Sequence, residues 1–391
     1  MHHRHRATSH LVLAVLSCLA ACTGAPEVAT ERLQAELVRD GLIFVRGTIA
    51  GHEASMLLDT GAGATLVSAA FAERIGLRLE GGTTGTAVGV GGKVAATRIP
   101  DVVLTLGQTH TKAPVVVVPL DVAPFLGRDL EVVLGRDVFT SFVVEMDAGT
   151  STVALHDRET FHYAGPGVTL PLQRGELDAW YVEARIEGLE PAWFELDTGD
   201  LGTLTVHEPF VARHSLLAGR PRGTALRGGV GGVIETVSTR IAEFTLGNLV
   251  FRDVPIETDR SDVGIFERTR AAGNLGTLLL TRCKIFVDGA RSQIHLEPIA
   301  ERMTAPFARN RSGLALAHRG IHLEVLHVAA GSPAAAAKLR IGDCIRAING
   351  VEITKGYWER AWSWTAEPAG TRVTLELVGG ERRSYTLGEV P

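Results

Sequence analysis

Residues 57–62 read LLDTGA and residues 194–200 read FELDTGD, so an Asp-Thr-Gly triplet occurs twice, each time after an apolar run. The second aspartate follows the first by 138 residues (197 − 59). Three more landmarks recur in the same order at intervals of 140 or 141 residues: Val-Gly-Gly ends at Gly92 and Gly232, Thr-Leu-Gly at Gly107 and Gly247, and Leu-Gly at Gly135 and Gly276. This repetition predicts that residues 38–157 and 168–298 are two copies of one lobe.

Each lobe is expected to consist mainly of strands. Residues 44–49 and 181–186 alternate partly between apolar and polar, and residues 115–118 are a run of valines suited to a buried strand. Residues 68–75 predict a short helix with Ser68 as its N-cap, and a Gly-Pro-Gly turn at 165–167 joins the lobes.

Composition excludes several classes of protein. The chain has 391 residues, enough for two or three domains, and its net charge of −5 argues against a nucleic-acid-binding surface. A hydrophobic content of 45% supports packed cores, and four cysteines are too few for a disulfide framework. The histidines show no metal-binding spacing, so we expect neither a metal nor an organic cofactor.

The two triplets suggest a pair of cooperating carboxylates, Asp59 and Asp197. Two carboxylates brought together resist joint ionisation and share a proton, so one can act as acid while the other acts as base. A water molecule between them could then attack an amide carbonyl. For either triplet alone, the alternative is a strand that ends in a turn stabilised by the aspartate and glycine.

These motifs resemble those of the aspartic peptidases, both retropepsin-like and pepsin-like, over both lobes. Residues 59–62 match the catalytic motif, and residues 133–137, VLGRD, are similar to the second retropepsin signature. The resemblance implies a mainly β fold of two duplicated retropepsin-like barrel lobes, with Thr60 and Thr198 cross-bonded at the base of the site. The implied catalytic residues are Asp59 and Asp197, supported by Thr60, Gly61, Ala62, Thr198, Gly199 and Asp200.

Lobe two departs from the family pattern at Asp200, where Ala, Ser or Thr is usual. An aspartate there could add a third negative charge and raise the pKa of the pair, or it could turn towards a basic partner. This departure keeps open the alternative of a scaffold that has lost activity.

Two glycine-rich segments lie where retropepsin flaps fall. A flap must bend over substrate and exclude water, which suits glycine hinges, whereas the alternative is a plain hairpin turn. The implied flap residues are Gly89, Val90, Gly91 and Gly92 in lobe one and Gly229, Val230, Gly231 and Gly232 in lobe two.

Residues 308–391 change character. The stretches AGSPAA at 330–335 and LRIGDCIRAING at 339–350 resemble a PDZ domain, which implies an α+β fold that binds C-terminal peptides along a sheet edge. Residues 320–325 are expected to form a strand, and residues 357–364 a helix along the groove. The residues implied in peptide binding are Gly313, Leu314, Ala315 and Leu316, and the alternative is a module that only packs on the lobes.

The N-terminus is typical of an export signal. Basic residues precede an apolar run at 11–21, and the sequence LAAC at 19–22 resembles a bacterial lipobox. We therefore expect a signal peptide at 1–21, lipidation of Cys22 and a linker at 22–37. The chain would face the periplasm, with the outer membrane favoured because Thr23 is not aspartate.

Together these features predict a lipid-anchored aspartic endopeptidase that acts on peptides or unfolded proteins. The PDZ domain would recruit substrates or regulate the lobes. The alternatives are a catalytically inactive peptide-binding scaffold and a structural envelope lipoprotein whose repeat serves assembly.

Overall fold

A computed structural model describes residues 30–259, 270–357 and 362–390. The expected signal peptide and Cys22 lie outside the described residues. The fold is mainly β, as the sequence predicts, with two similar lobes followed by a smaller C-terminal module.

Lobe one begins within the segment expected to be a linker (22–37), because Glu31–Val38 is a strand that pairs with Leu42–Ile49 and Thr152–Asp157. Its strands are β1 (Glu31–Val38), β2 (Leu42–Ile49), β3 (His52–Leu58), β4 (Thr65–Ser68), β5 (Thr83–Gly89), β6 (Gly92–Leu106), β7 (Thr109–Val118), β8 (Val132–Leu134), β9 (Phe142–Asp147) and β10 (Thr152–Asp157). Its helices are α1 (Ala69–Arg74), α2 (Ala123–Leu126) and α3 (Arg136–Ser141).

Lobe two repeats this order. Its strands are β11 (Val168–Arg174), β12 (Trp180–Ile186), β13 (Ala192–Leu196), β14 (Leu204–His207), β15 (Gly223–Gly229), β16 (Gly232–Leu246), β17 (Leu249–Asp259), β18 (Gly273–Leu275), β19 (Cys283–Asp288) and β20 (Gln293–Pro298). Its helices are α4 (Glu208–His214) and α5 (Thr277–Leu280), and α6 (Ala300–Thr304) follows.

The C-terminal module contains β21 (Leu314–His318), β22 (Leu323–Val328), β23 (Cys344–Ile348), β24 (Val351–Glu352), β25 (Arg372–Leu377), β26 (Arg382–Thr386) and the short helix α7 (Pro333–Ala336). Its strands form one antiparallel sheet in the order β21-β22-β23-β25-β26, with β24 on β23. The strand expected at 320–325 begins only at Leu323, because a turn at 319–322 precedes it. Part of the helix expected at 357–364 lies outside the described residues, and Trp362–Ala366 forms a 3₁₀-helix.

The two lobes pair their strands in the same way. Strand β3 runs parallel to β8, and β13 runs parallel to β18. Strand β4 lies between β7 and β8, and β14 lies between β17 and β18. Equivalent pairing places the two Asp-Thr-Gly loops, which follow β3 and β13, at equivalent ends of their lobes.

One sheet joins the lobes. Its antiparallel order is β1-β10-β9-β19-β20-β11, so that β9 of lobe one pairs with β19 of lobe two, with Phe286 opposite Glu145. A continuous apolar core extends through both lobes and includes Phe139, Trp180 and Phe244, which are fully buried. Burial of this surface, at about 25 cal/mol per Å² of apolar area, holds the lobes in one orientation.

Two local predictions about helix starts are confirmed. The Ser68 side chain accepts a hydrogen bond from Phe71 N at the start of α1, and Ser332 accepts one from Ala335 N at the start of α7, whose first residue is Pro333. These hydroxyls satisfy amides that the first helical turn leaves unpaired.

Candidate active site

The two aspartates of the triplets occupy equivalent backbone positions. The amide of Asp59 donates to Leu134 O at 3.0 Å, and the amide of Asp197 donates to Leu275 O at 3.1 Å. Each loop is therefore tied to the strand beside it, β8 or β18. Gly135, in the sequence motif after β8, allows the backbone of the Asp-Thr-Gly loop to pack closely against the end of this strand.

The two threonines hold the loops to each other. Thr60 N donates to Thr198 Oγ1 at 3.0 Å, and Thr198 N donates to Thr60 Oγ1 at 3.1 Å. Each hydroxyl also donates across the lobe boundary, from Thr60 to Leu196 O and from Thr198 to Leu58 O. Both threonines are buried, so this network of four hydrogen bonds fixes the loops without help from solvent.

Glycine is required after each threonine because the opposite carboxyl group lies against it. A Cβ atom on Gly61 would stand 2.8 Å from Asp197 Cγ, and one on Gly199 would stand 2.3 Å from Asp59 Cγ. These glycines let the two aspartates approach, and the carboxyl groups of Asp59 and Asp197 influence each other's pKa.

The environment of the pair favours one shared proton. Burial raises the pKa of Asp59 to about 6, although hydrogen bonds from Asp197 and from the amides of Gly61 and Ala62 oppose that rise. Burial, followed by the charges of Asp59 and Asp200, raises the pKa of Asp197 well above its ordinary value. The two carboxyl groups therefore titrate as a coupled pair, and the larger rise in the pKa of Asp197 favours the shared proton on that residue.

Asp200 pairs with a basic residue and also raises the pKa of the dyad, the two alternatives that the sequence left open. It accepts a hydrogen bond from Arg227 at 2.6 Å in an ion pair whose side chains are 9% and 11% exposed, and its charge still contributes to the raised pKa of Asp197. Asn274 Nδ2 connects the two, because it donates to Asp200 Oδ2 at 2.8 Å and to Asp197 Oδ2 at 3.1 Å. Asp200 is therefore a paired, structural member of the site.

The glycine-rich segments are the tips of two long hairpins, β5–β6 and β15–β16, and the tips meet. Gly91 N donates to Val230 O at 2.9 Å, and Gly89 approaches Val230 so closely that a Cβ would stand 2.5 Å from its Cβ. Gly229 contacts Val90 in the reciprocal way. The tips of the two hairpins therefore contact each other directly.

Sequence reasoning missed Asn274, Arg227, Glu195 and Glu257, which surround Asp197 and Asp200. Burial raises the pKa of Glu195 to about 8, and burial also raises the pKa of Glu257. A signal was present: the lobe-one residues aligned with them by the repeat are apolar or alanine, so charges at these places are a departure from the repeat.

The predicted peptide-binding residues of the C-terminal module fall partly in a strand. Leu314, Ala315 and Leu316 lie in β21, and only Gly313 lies in the loop before it, at φ +76°. Asn310 Oδ1 accepts hydrogen bonds from the amides of Ser312 and Gly313. These two amides of the loop therefore already have a hydrogen-bond partner. Within the part of the chain that the structure describes, β21 pairs with β22 alone and is an edge strand.

Comparison with known proteins agrees with this architecture. Residues 45–138, which include Asp59, match the family model for an aspartyl protease, and residues 324–378 match the model for a PDZ domain. The chain is also similar to the DNA damage-inducible protein 1 of Yarrowia lipolytica, with 28% identity over 127 residues. That match covers 32% of this chain and spans about 30% of the relative's length. The chain thus contains an aspartyl protease domain and a PDZ domain.

The described residues hold neither a membrane-spanning helix nor a cluster of metal-binding side chains. Across 30–259, 270–357 and 362–390, no helix is both long and apolar enough to cross a membrane. The same residues contain no group of three or more His, Cys, Asp or Glu side chains placed to hold a metal ion.

Proposed function

We propose that this protein is an aspartic endopeptidase in which Asp59 and Asp197 activate water to hydrolyse peptide bonds. The observation that carries the proposal is the reciprocal hydrogen bonding of Thr60 and Thr198, which holds the two aspartate loops together so that each carboxyl group lies against the glycine of the opposite loop. Two buried carboxyl groups held together resist joint ionisation, so they share one proton. Such a pair can supply an acid and a base to the same reaction.

The unequal pKa values of the pair assign their roles. Ionised Asp59 takes a proton from water as the water oxygen bonds to the amide carbon, and Asp197 gives its proton to the carbonyl oxygen. In the second step Asp59 returns its proton to the leaving nitrogen, the carbon–nitrogen bond breaks, and Asp197 recovers a proton from the diol. Both carboxyl groups end as they began.

The paired flaps supply the third element of the proposal. A substrate enters only when the contact between Gly91 and Val230 opens, and reclosure excludes bulk water from the reacting amide. An extended peptide would then lie between the flap tips and the aspartates.

The test is cleavage of a diverse peptide mixture by the full chain, read by mass spectrometry between acidic and neutral pH. Asp59→Asn and Asp197→Asn are each expected to abolish cleavage, whereas Asp101→Asn, a change at an exposed lobe-one aspartate, preserves it. Full cleavage by both dyad variants would refute the dyad. No cleavage by the wild-type chain at any pH would favour the scaffold alternative.

The PDZ domain is proposed to regulate the flaps as well as to recruit substrate. Helix α2 of lobe one packs on the edge strand β21, and Phe125 of α2 lies against Gly228 in the second flap hairpin. Thr224, in the same hairpin, hydrogen-bonds His327 of the PDZ domain at 2.7 Å. A peptide that adds to β21 would compete with α2 and thereby alter the contact with the flap.

Membrane attachment through Cys22, with the chain facing the periplasm, is also proposed. The sequence LAAC after an apolar run supports it. Labelling of cells with a radioactive fatty acid is expected to mark the wild-type chain and to leave Cys22→Ser unmarked and in the soluble fraction. Equal labelling of both would refute the lipid anchor.

A further inference from the structure

The walls of the site on the two sides of the dyad have opposite chemistry. Sheet register identifies equivalent residues in the lobes. Glu195 lies opposite Asn274 in the parallel pair β13–β18, as Leu57 lies opposite Val133 in β3–β8. The polar residues beside Asp197 in lobe two therefore stand where lobe one has aliphatic residues.

The same comparison extends to the rest of the wall. Thr205 pairs with both Asn274 and Glu257, as Leu66 pairs with both Val133 and Val116. Arg227 stands two residues before the end of its hairpin strand at Gly229, as Ala87 stands two before Gly89. With Asp200 at the position of Ala62, six equivalent pairs differ in the same sense: Leu57/Glu195, Ala62/Asp200, Leu66/Thr205, Ala87/Arg227, Val116/Glu257 and Val133/Asn274.

In lobe one, four of these six positions belong to one apolar cluster. Leu57 and Val133 are buried in it, and Ala62 and Leu66 pack against it. Such a wall can receive an aliphatic or aromatic side chain and offers nothing to a charged one.

In lobe two the corresponding wall has an excess of acid. One guanidinium, that of Arg227, faces the three carboxyl groups of Glu195, Asp200 and Glu257; it forms an ion pair with Asp200 at 2.6 Å and also donates to the Thr205 hydroxyl. Because burial raises the pKa of Glu195 to about 8, this carboxyl retains its proton at neutral pH until a cation approaches. A bound ammonium or guanidinium would favour its ionisation.

A separate observation points to a missing hydrogen-bond donor. Asn274 is 2% exposed, and its Oδ1 is buried without a hydrogen-bond partner in the structure. Its orientation follows from its amide nitrogen, which donates to both Asp197 and Asp200. A buried acceptor without a donor is unfavourable, and a side chain rich in N–H groups would satisfy it.

We propose that the lobe-two wall binds a Lys or Arg side chain of the substrate and that the lobe-one wall binds an apolar one. The protease then cleaves bonds with a basic residue on one side only. This inference rests on the proposed function and specifies its substrate class.

The test uses four fluorogenic decapeptides that differ only at the central pair: Leu-Leu, Lys-Leu, Leu-Lys and Lys-Lys. The full chain is expected to cleave one of the two mixed peptides with a kcat/KM roughly ten- to a hundred-fold above that of the Leu-Leu peptide, the range of one charge-assisted hydrogen bond. The mixed peptide that is cleaved faster shows in which direction the substrate chain runs across the site.

Variants that copy lobe one into lobe two provide the structural control. Asn274→Val and Glu195→Leu, singly and together, are expected to shift preference towards the Leu-Leu peptide, with folding checked by circular dichroism. Glu243→Gln, which removes an ion pair with Arg252 elsewhere in lobe two, leaves the preference unchanged. Unchanged preference in folded Asn274→Val and Glu195→Leu would overturn the assignment of the wall.

A binding measurement separates this inference from the proposed chemistry. Asp59→Asn is titrated with the same four peptides, labelled with fluorescein, and anisotropy is followed. Tighter binding of one mixed peptide supports the inference even if the wild-type chain cleaves none of them. If the wild-type chain cleaves the Leu-Leu peptide best, or all four equally, the specificity is wrong while the peptidase stands.

Discussion

The hydroxyl of Thr198 accepts a hydrogen bond from the amide of Thr60 at 3.0 Å and donates one to Leu58 O at 2.9 Å. Thr60 does the same in reverse. The geometry of the dyad therefore depends on both lobes at once, since neither loop is complete without the other.

Thr60→Val tests that dependence. Valine keeps the shape of threonine but removes two buried hydrogen bonds, so we expect a loss of about 2–4 kcal/mol in the free energy of unfolding and a large fall in kcat. Thermal melting and peptide cleavage check both effects. Thr60→Ser, which retains the hydroxyl, is the matched control, and an equal loss in both variants would contradict this role for the hydroxyl.

Gly199→Ala tests the close approach of the loops. The added Cβ would stand 2.3 Å from Asp59 Cγ, so the carboxyl groups must separate and cleavage is expected to fall by at least about a hundred-fold. Gly379→Ala is the control, because a Cβ there meets nothing within 4 Å. Normal cleavage by Gly199→Ala would show that the dyad is not the reacting centre.

Asp200→Asn is expected to move the alkaline limb of the pH–rate profile. The charge of Asp200 raises the pKa of Asp197, whereas that of Arg227 lowers it. Without the Asp200 charge, Arg227 is unopposed, Asp197 loses its proton at lower pH, and activity declines earlier as the pH rises. The acidic limb, set by Asp59 near pH 6, should move much less. A shift of the alkaline limb towards higher pH would contradict the assigned sign.

Glu195→Gln is expected to change how stability depends on pH. The pKa of Glu195 rises from 4.5 to about 8, so the native state retains a proton that the unfolded chain releases, and stability falls as the pH rises through this window. The variant lacks that loss, and at pH 9 it should melt above the wild-type chain, by roughly 2–4 °C per kcal/mol removed. Identical pH dependence in both proteins, measured by scanning calorimetry, would show that Glu195 is not buried as a neutral acid.

Phe125→Ala tests the link between the PDZ domain and the flap. Loss of the ring removes the contact with Gly228, so amide hydrogen exchange at 223–239 is expected to quicken by several-fold. A C-terminal peptide added to the wild-type chain should produce the same change, and should add little to the variant. If peptide binding leaves exchange in that hairpin unaltered, the PDZ domain does not act through α2.

The repeat made much of the architecture predictable. Glycines and Asp-Thr-Gly triplets recur at a nearly constant interval, and they mark turns and close contacts that depend on local backbone geometry. Ser68 and Ser332 could be assigned as caps because capping is likewise local. The β lobes, the hairpins and the PDZ domain followed from such signals.

The polar wall of lobe two was not predictable in the same way. Arg227, Asn274 and Asp200 are distant in sequence, and although each departs from its lobe-one counterpart, nothing in its own segment indicates that the three residues meet. Their interaction depends on β15, β18 and the loop after β13 reaching one place, which only tertiary packing determines. The position of Leu314 to Leu316 in a strand had a similar cause, because pairing with β22 extends β21 to the loop.

Strand β9 pairs with β19, and the two halves of the candidate site that they join belong to a single chain. In a symmetric homodimer, any substitution beside one aspartate appears beside the other, so both sides of the cleft must remain alike. Here a mutation at residue 227 or 274 occurs once per site. With both halves in one chain this symmetry constraint is absent, and each side of the cleft can acquire its own selectivity without a matching change on the other.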